Sequence, residues 1–485
     1  MTIDIKYNDL KKRKGKAVTK ENLQAKDAKK VSNKEKKKVN IKKIVIWVIV
    51  LAILGVIGTY VYKIYSKGRQ IGFKLNPTTI LSTKEPELKR DSSQQFTNIA
   101  IIGIDTRENS TLLNTDTIIL ASYNYSTNNT TMISIPRDFH VEVEKGKRYY
   151  QRINYIYSYY EGIEKGTGIP HLIDTIAEIT GQEIQYYAMV DFKAFVQIID
   201  SVGGVDVNVE NSFTDYMYPE GIGYKTVKFV AGPQTMNGKT ALEYSRSRHS
   251  MQNNEGSDYA RARRQQKVIT ALQNKILSSE TLLDPKKIMN IISSIADNIR
   301  ISEFTQDDLK AAMNIGNRIK DGNGTTFSFV LDPTAGGSQL IEVKKMESGA
   351  YAIGPVDGLG QYGKILEYIN LVQQKPYIYA NNPTIYVYNT GIGTNAVALQ
   401  KTNQLKKDFP YINIIFSYAR IGSNDGTVVF PTSEKYMKLT EELAKNLKTE
   451  NMIKPEGITS QFGHEGAAIL LGKETQLSQE TKSEI

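Results

Sequence analysis

Residues 98–138 read NIAIIGIDTRENSTLLNTDTIILASYNYSTNNTTMISIPRD, and this stretch decides the fold. It contains three short runs, NIAIIGID, TDTIILASYN and TTMISIPRD, which are β-rich and separated by turn residues, as is typical of strands. The links of about 10 and about 6 residues are too short for the usual crossover helix, so we expect antiparallel neighbours. Strand one then ends, strand two begins and strand three ends at one edge of the sheet.

Helical patterns follow the three strands. GIPHLIDTIAEITG carries Pro170 in its first turn and Gly181 after its end, and DFKAFVQIIDSVGG begins with an aspartate that can cap a helix. VDVNVE alternates like a half-buried strand, and a further helix is predicted over about residues 257–279. Residues 98–335 therefore read as one α/β domain.

The remainder of the chain predicts a second, smaller α/β unit. Residues 336–381 are rich in glycine and less regular, so we interpret them as a connector. Residues 382–474 contain the runs PTIYVYN, INIIFSYA, TVVF and AAILLG, with helices predicted over residues 395–407 and 433–447. Residues 475–485 form a polar tail.

The net positive charge of the protein comes from its N-terminus. The chain of 485 residues has a formal net charge of +11, and residues 1–43 hold sixteen Lys and Arg against five Asp and Glu. The other 442 residues hold 46 of each sign. Because the lysine-rich tail cannot bury enough apolar surface to fold alone, we expect it to be disordered, and we expect no nucleic-acid partner.

An uncharged segment follows the basic tail. Residues 44–62 read IVIWVIVLAILGVIGTYVY, and a helix of this length spans about 28 Å, close to the ~30 Å hydrocarbon core of a bilayer. The preceding lysines predict that the tail is cytoplasmic and that the rest of the chain lies outside the cell membrane. Residues 63–97 are polar and contain Pro77 and Pro86, so they read as a stalk.

The scarcity of thiols and imidazoles excludes several site classes. The chain has no cysteine, so a disulfide framework, a zinc ribbon and a thiol nucleophile are excluded. Its four histidines are scattered, which argues against a metal site made of histidine alone.

Charged residues fall where the first three predicted strands meet one sheet edge. Aspartates at one edge, with no histidine or thiol, suit a hard cation such as Mg²⁺, and arginines beside them suit phosphate through bidentate hydrogen bonds. The edge residues are Asp105, Arg107, Asp116, Arg137 and Asp138.

A second cluster lies in ALEYSRSRHSMQNNEGSDYARARRQQ, residues 241–266. An extended chain would direct alternate residues the same way, and we expect this of Tyr244, Arg246 and Arg248. Asp258 stands at a helix start as a natural cap. The residues that then share one helical face are Arg261, Arg264 and Gln265. Cations that face one another need acidic partners or an anionic ligand, so the two clusters together predict a cation-assisted phosphoryl site.

The order of these motifs resembles the LytR-CpsA-Psr family. An N-terminal anchor, GID with Arg107, TDT, SIPRD, YSRSRH and GSDYARARRQQ occur in sequence over about residues 44–335. The unit over residues 382–474 is similar to the LytR-type domain often found C-terminal to that family, although VYNTG stands where an Asn-Gly turn is expected. The resemblance implies an α/β fold with a mixed central sheet and helices on both faces, a small C-terminal α/β domain and one transmembrane helix.

The resemblance also implies a function. Such enzymes take a glycopolymer, for example teichoic acid or capsule, from a polyprenyl pyrophosphate carrier and join it to a peptidoglycan hydroxyl through a phosphodiester. By motif, Asp105 and Asp116 would hold Mg²⁺ (or Mn²⁺), while Asp138 and Asp258 orient arginines. The pyrophosphate ligands would be Arg137, Arg246, Arg248, Arg261, Arg264 and Gln265. Catalysis would rest on Asp105, Arg107, Arg137 and Asp138.

Two further features of the family carry over less directly. Thr115 replaces a commoner serine before the key aspartate. The family holds its lipid in an apolar tunnel, whose candidate lining here, equally explained as ordinary core, is Ile153, Ile156, Leu172, Ile176, Phe195 and Ile199.

The sequence leaves three other functions open. A hydrolase of the same lipid pyrophosphate would need the same residues. A membrane-bound transcriptional regulator would use the basic tail, although no helix-turn-helix pattern is visible there. A structural wall-binding module would not need the aspartates or arginines at all.

Overall fold

The computed structural model describes residues 73–74, 85–105, 113–221, 223–277, 298–345, 349, 351–419, 422–423, 425–455 and 465–473. The predicted basic tail, the apolar segment 44–62, most of the stalk, Arg107 and the polar tail 475–485 lie outside these residues. All of the described residues belong to one compact unit, Ile64–Ile485. Among the helices of these residues, none combines the length and apolarity needed to cross a bilayer.

Strands make up much of the described chain. They are β1 Phe73–Lys74, β2 Phe96–Ile104, β3 Thr115–Asn124, β4 Thr130–Ser134, β5 His140–Glu144, β6 Tyr149–Arg152, β7 Tyr186–Asp191, β8 Val205–Val209, β9 Phe213–Glu220, β10 Gly223–Phe229, β11 Gly232–Met236, β12 Ile299–Ile301, β13 Phe304–Thr305, β14 Thr326–Val330, β15 Ile341–Lys345, β16 Tyr351–Pro355, β17 Thr384–Asn389, β18 Asn413–Ser417, β19 Val428–Pro431 and β20 Gly466–Leu471.

Helices connect and cover these strands. The α-helices are α1 Ile156–Ile163, α2 Gly168–Thr180, α3 Phe192–Ser201, α4 Gly238–Arg246, α5 Asp258–Leu277, α6 Gln306–Arg318, α7 Ala335–Ser338, α8 Gly363–Gln374, α9 Pro376–Tyr379, α10 Asn395–Asp408 and α11 Met437–Asn446. Short 3₁₀ turns span Ile153–Tyr155 and Glu434–Tyr436, and a π-helical turn spans Ile319–Asn323.

The central sheet has the strand order β12-β7-β2-β3-β4-β14. Strands β2, β3 and β4 pair antiparallel in succession, which confirms the arrangement expected from the short links between them. Strand β7 adds to β2 and β14 adds to β4 in parallel, so the sheet is mixed. The antiparallel β2–β3–β4 order brings the end of β2, the start of β3 and the end of β4 to one edge.

Helices cover both faces of this sheet. Ser122 pairs with Thr131 across β3 and β4, so the two side chains share a face, and Ser134, three residues further along β4, lies on the other. Gln373 of α8 donates to Oγ of Ser122 at 2.7 Å, whereas Gln266 of α5 donates to Oγ of Ser134 at 2.8 Å. The two buried amides therefore fix α8 and α5 on opposite faces.

Residues 336–381 are more regular than the sequence indicates. They contain the antiparallel β15–β16 hairpin and the helices α8 and α9. Glycines of this segment stand at turns between these elements, for example Gly349 between β15 and β16 and Gly358 between β16 and α8, which have φ angles of 84° and 119°. The segment predicted as a connector thus supplies one of the helices that covers the central sheet.

The C-terminal residues form a four-stranded sheet of order β18-β17-β20-β19. Strand β17 is parallel to β18 and β20, and β19 is antiparallel to β20. The ring centroid of buried Tyr368 on α8 lies 6.5 Å from that of Phe329 on β14 and 5.9 Å from that of Tyr411 beside β18. One hydrophobic core therefore runs from the central sheet to the C-terminal sheet.

Candidate active site

A cavity of about 360 Å³ opens at the sheet edge where β2, β3 and β4 converge. Strand ends supply part of its wall, the end of α4 and the segment after it supply another part, and the first turns of α5 close it. The residues that line it are Asp105, Asn114, Asp116, Thr117, Arg137, Asp138, Arg152, Asn154, Phe192, Pro219, Arg246, Arg248, Arg261 and Gln265. The two predicted clusters, about 100 residues apart in the sequence, thus meet in one place.

Arg137 stands at the centre of an acidic network. Its Nη1 lies 3.1 Å from Oδ1 of Asp116, its Nε 3.6 Å from Asp138, and its Nη2 3.6 Å from Oδ1 of Asp258. Burial acts to lower the pKa of Arg137, but the three carboxylates outweigh burial and the pKa is raised. The guanidinium is therefore held charged and fixed in direction at the sheet edge.

Arg261 is a buried cation of the cavity. Only 6% of the residue is exposed, and its Nη1 lies 2.6 Å from Oδ1 of Asp258. Burial lowers the pKa of Arg261 to about 10. The carboxylate of Asp258 raises this pKa, and the positive charge of Arg137 lowers it. An anion in the cavity would relieve the repulsion between Arg261 and Arg137.

Asp258 has a different place from the one predicted. Helix α5 is capped by Ser257, whose Oγ accepts from the backbone N–H of Ala260 at 3.0 Å, and Asp258 is the first helical residue. Because its carboxylate is not used as a cap, it bridges Arg137 and Arg261. This agrees with the expectation that Asp258 orients arginines.

The predicted extended run through Tyr244, Arg246 and Arg248 is wrong for its first part. Helix α4 is capped by Asn237, which accepts from the N–H of Thr240 at 2.9 Å, and it continues to Arg246. Successive helical residues turn by about 100°, so Tyr244 points into the core while Arg246 reaches the cavity. Tyr244 is 2% exposed.

Aromatic side chains hold Arg246. Its guanidinium lies 4.0 Å from the ring centroid of Phe192, and its Nη1 donates to the hydroxyl of Tyr218 at 3.2 Å. Stacking on one face leaves the edge of the planar group to bind an anion. Neither Phe192 nor Tyr218 carries a sequence signal that would have placed it here.

Asp215 is a positioning residue that the sequence analysis missed. Its side chain is fully buried, and it accepts from the Ser247 hydroxyl at 2.6 Å and from the N–H groups of Arg248 at 3.0 Å and His249 at 3.2 Å. Burial alone would raise the pKa of Asp215, but these hydrogen bonds outweigh burial and lower it. Asp215 thereby fixes the segment that carries Arg248 into the cavity.

Arg264 lies outside the cavity. Its Nε donates to the carbonyl of Tyr244 at 2.9 Å, and its Nη atoms bond the carbonyl of Ser247 and both the carbonyl and the carboxylate of Glu255. The guanidinium of Arg264 thus donates its hydrogen bonds to groups inside the protein and not into the cavity. Gln265, the next residue, does line the cavity.

The aspartates fit a hard cation that takes part of its coordination from a substrate. Asp105, 5% exposed, and Asp116 both line the cavity, and the bond from Arg137 uses only Oδ1 of Asp116. The described residues hold no group of three or more His, Cys, Asp or Glu suited to a metal. Mg²⁺ is commonly bound by one or two carboxylates together with substrate phosphates, and the donor set matches that mode.

The six candidate tunnel residues do not share one apolar surface. Ile153, Ile156, Leu172 and Ile176 belong to the core that joins the central and C-terminal sheets. Ile199 and the partly buried Phe195 belong to a second core around β8–β11, α4 and α5. The structure therefore divides the predicted lining between two cores.

Comparisons with known proteins agree on one family. The model of the LytR_cpsA_psr family matches residues 60–324. A polyisoprenyl-teichoic acid–peptidoglycan teichoic acid transferase, TagU, of Oceanobacillus iheyensis is 30% identical over 58% of this chain and 85% of its own length. TagU of Bacillus subtilis is 26% identical over 65% of this chain and 97% of its own.

Two further similarities also cover more than half of the chain. The cell wall biosynthesis protein LcpA of Corynebacterium glutamicum is 27% identical over 54% of this chain and 47% of its own length. The crystal structure of B. subtilis TagV aligns with a TM-score of 0.44 and 21% identity over 58% of this chain and 96% of that one.

Proposed function

Because this chain belongs to the LytR-CpsA-Psr family and is a phosphotransferase, we propose that it transfers a glycopolymer from a polyprenyl pyrophosphate carrier to a peptidoglycan hydroxyl. The family match confirms the resemblance that the sequence motifs indicate. Relatives named as teichoic acid–peptidoglycan transferases support an anionic glycan as cargo and peptidoglycan as acceptor.

One observation carries the proposal. Five arginines and three aspartates converge on the cavity at the sheet edge, so the lining has an excess of positive charge. A pyrophosphate carries negative charge that such a lining would balance, and arginine binds phosphate oxygens with two hydrogen bonds from one planar group.

The residues of the cavity divide into two roles. Arg246, Arg248 and Arg261, with Gln265, would bind the pyrophosphate, and Arg137 would neutralise the negative charge on the phosphoryl oxygens in the transition state. Asp138 and Asp258 hold Arg137 in place, since each lies 3.6 Å from its guanidinium, and Asp258 also holds Arg261 at 2.6 Å.

The proposed reaction is a substitution at phosphorus. The oxygen of a peptidoglycan hydroxyl attacks the phosphorus atom that bears the glycopolymer, and the bond from that phosphorus to the bridging oxygen breaks. Polyprenyl phosphate leaves with the bridging oxygen, and the hydroxyl proton passes to a carboxylate at the sheet edge, either Asp105 or one of its neighbours. The product is a phosphodiester between glycopolymer and peptidoglycan.

Asp105 and Asp116 would hold the Mg²⁺ (or Mn²⁺) of the site. A bound divalent cation supplies charge neutralisation on the phosphate oxygens, which lowers the barrier to attack by a neutral hydroxyl. The support is the donor set, two carboxylates beside arginines in a polar cavity.

We also propose that the protein works at the outer face of the cell membrane. The uncharged residues 44–62 would anchor it, with the basic tail in the cytoplasm and the cavity on the cell-wall side. A lipid-borne pyrophosphate suits this side of the membrane because it brings its own leaving group.

The test is a transfer assay with the full-length protein in detergent. We expect polymer from a lipid-linked donor to become bound to added peptidoglycan in the presence of Mg²⁺, and Arg137→Ala to abolish most of this transfer. Release of polymer without attachment would identify a lipid pyrophosphate hydrolase instead. If several anionic donors gave neither release nor attachment, that result would contradict the proposed chemistry.

A further inference from the structure

Strand β3 carries an extra residue opposite β2 at the sheet edge that forms the candidate active site. Gly103 of β2 pairs with Thr117, but the next residue of β2, Ile104, pairs with Thr115. This shift of register leaves Asp116 as the extra residue of a β-bulge. Bulges beside active sites commonly change the direction of a side chain, so the direction of Asp116 needs a physical account.

The bulge decides which face of the sheet Asp116 reaches. Ile104 and Ile118 belong to the hydrophobic core, and Ser122, four residues after Ile118 on the same face of β3, contacts α8. In a regular register Asp116 would pair with Ile104 and enter this core, where an unpaired carboxylate is costly. With the bulge, Thr115 takes the position opposite Ile104 and is fully buried there.

The opposite face of the sheet is the one that holds the cavity. Ser134 on that face is bonded to Gln266 of α5, the helix whose first turns close the cavity. The bulge turns Asp116 toward this side, so that its carboxylate lines the same cavity as Asp105. Its Oδ1 then lies 3.1 Å from Nη1 of Arg137.

Gly103 leaves the space in which Thr117 lies beside the bulge. The φ angle of Gly103 is not in the left-handed region, so contacts and not backbone conformation limit a side chain at this position. An added Cβ would lie 2.9 Å from Cβ of Thr117 and 3.0 Å from its Oγ1. Non-bonded carbon atoms pack at about 3.5–4.0 Å, so such a contact is repulsive. Because a Cβ moves only with its backbone, the strand next to Asp116 would have to shift.

We propose that Gly103 and Thr117 are positioning residues for Asp116, because their close contact fixes the bulge that turns this carboxylate from the core into the cavity. Two consequences follow. The contact between Asp116 and Arg137 depends on the bulge, and this consequence rests on the structure alone. The affinity for a divalent cation depends on it as well, and this consequence rests on the proposed function, in which Asp105 and Asp116 hold the cation.

The test uses crystal structures and Mn²⁺ calorimetry of the full-length protein in detergent. We expect Gly103→Ala to lengthen the contact between Arg137 and Asp116 from 3.1 Å to beyond about 4 Å, the limit for an ion pair. The same variant should bind Mn²⁺ about tenfold more weakly, as is usual when a residue that orients a metal ligand is changed.

A second substitution tests whether the contact itself is the cause. Gly103→Ala/Thr117→Gly removes the clash by moving the Cβ to the other strand, and Thr117→Gly completes a double-mutant cycle. The double variant should keep the native contact between Arg137 and Asp116. It should also bind Mn²⁺ more tightly than the two single effects together predict.

Gly354→Ala is the matched control for a crowded strand glycine. An added Cβ at Gly354 on β16 would lie 2.6 Å from Cδ2 of Leu359, and neither residue lines the cavity. This variant should lose stability but keep its Mn²⁺ affinity within about twofold of the native value, since distant sites act independently.

Two results would overturn the proposal. They are an unchanged contact between Arg137 and Asp116 in Gly103→Ala, and single effects on Mn²⁺ binding that simply add in the double variant. If Gly103→Ala does not fold, the double variant decides, because it must fold with the native contact. Absence of Mn²⁺ binding by the native protein would reject the proposed cation site, while the distance between Arg137 and Asp116 would still decide the positioning role.

Discussion

Nη1 of Arg137 lies 3.1 Å from Oδ1 of Asp116, and this contact ties the turn after β4 to the second residue of β3. Because β3 and β4 are hydrogen-bonded neighbours, the register of the sheet sets the position of the pair. Arg137 is thus positioned by the hydrogen-bonded pairing of the central sheet.

Arg137→Ala should lower transfer activity about 10²- to 10³-fold, the usual effect of removing a group that stabilises transition-state charge. Arg137→Lys should recover only part of the loss, since an ammonium cannot form the paired bonds of a guanidinium. Arg300→Ala serves as the control, because Arg300 is bonded to Tyr157 Oη at 3.1 Å and does not line the cavity. Near-normal transfer activity of the Arg137→Ala variant would show that Arg137 does not stabilise the transition state.

Arg261 and Arg263 give a matched pair on one helix. Arg261 lines the cavity, whereas Arg263, two residues on, pairs with Asp332 at 3.6 Å and is half exposed. Arg261→Ala should lower transfer about 10- to 100-fold, and Arg263→Ala should change it less than about twofold. Steady-state transfer rates at several donor concentrations measure both, and equal effects of the two substitutions would contradict the assignment.

Arg264 should matter for stability rather than for ligand binding. Its removal leaves the carboxylate of Glu255, whose side chain is 12% exposed, and the carbonyls of Tyr244 and Ser247 without their donor. We expect Arg264→Ala to lower the free energy of unfolding by about 3–5 kcal/mol, as measured by urea denaturation. If Arg264→Ala had normal stability but reduced affinity for the lipid-linked donor, Arg264 would have to be assigned to the binding site.

Asp215 should make the free energy of unfolding sensitive to acid. Its folded pKa lies below the ordinary value of 3.8, so its contribution is complete above about pH 4 and is lost as the pH falls through the folded pKa. Asp215→Asn should therefore be less stable than the native protein at pH 6, and the difference should narrow at pH 3. Unfolding curves at the two pH values measure this difference in the free energy of unfolding. A difference that is larger at pH 3 than at pH 6 would show that the folded pKa of Asp215 is raised and not lowered.

The proposed cation site predicts a metal requirement that depends on Asp116. EDTA should abolish transfer and added Mg²⁺ should restore it, whereas Asp116→Asn should raise the Mg²⁺ concentration needed for half-maximal activity. Asp206→Asn is the control, because Asp206 lines a different cavity and accepts from Thr235. Full activity in EDTA would show that the arginines suffice.

Local patterns in the sequence determined a large part of this fold. Alternating and β-branched runs predicted β2, β3 and β4, and the short links between them required antiparallel pairing, because a crossover helix needs more residues. That pairing alone brings Asp105, Asp116 and Arg137 to one edge. Within the C-terminal unit, the predicted strands and helices also match the observed elements closely, since each has a clear period and turn residues at its ends.

Long-range packing decided the rest. No local pattern could show that Asp215 would anchor residues 247–249, or that Arg264 would turn inward while Arg261 faces the cavity. Those outcomes depend on how α4 and α5 pack together, because the packing decides which guanidinium lies within hydrogen-bond distance of acceptors inside the protein.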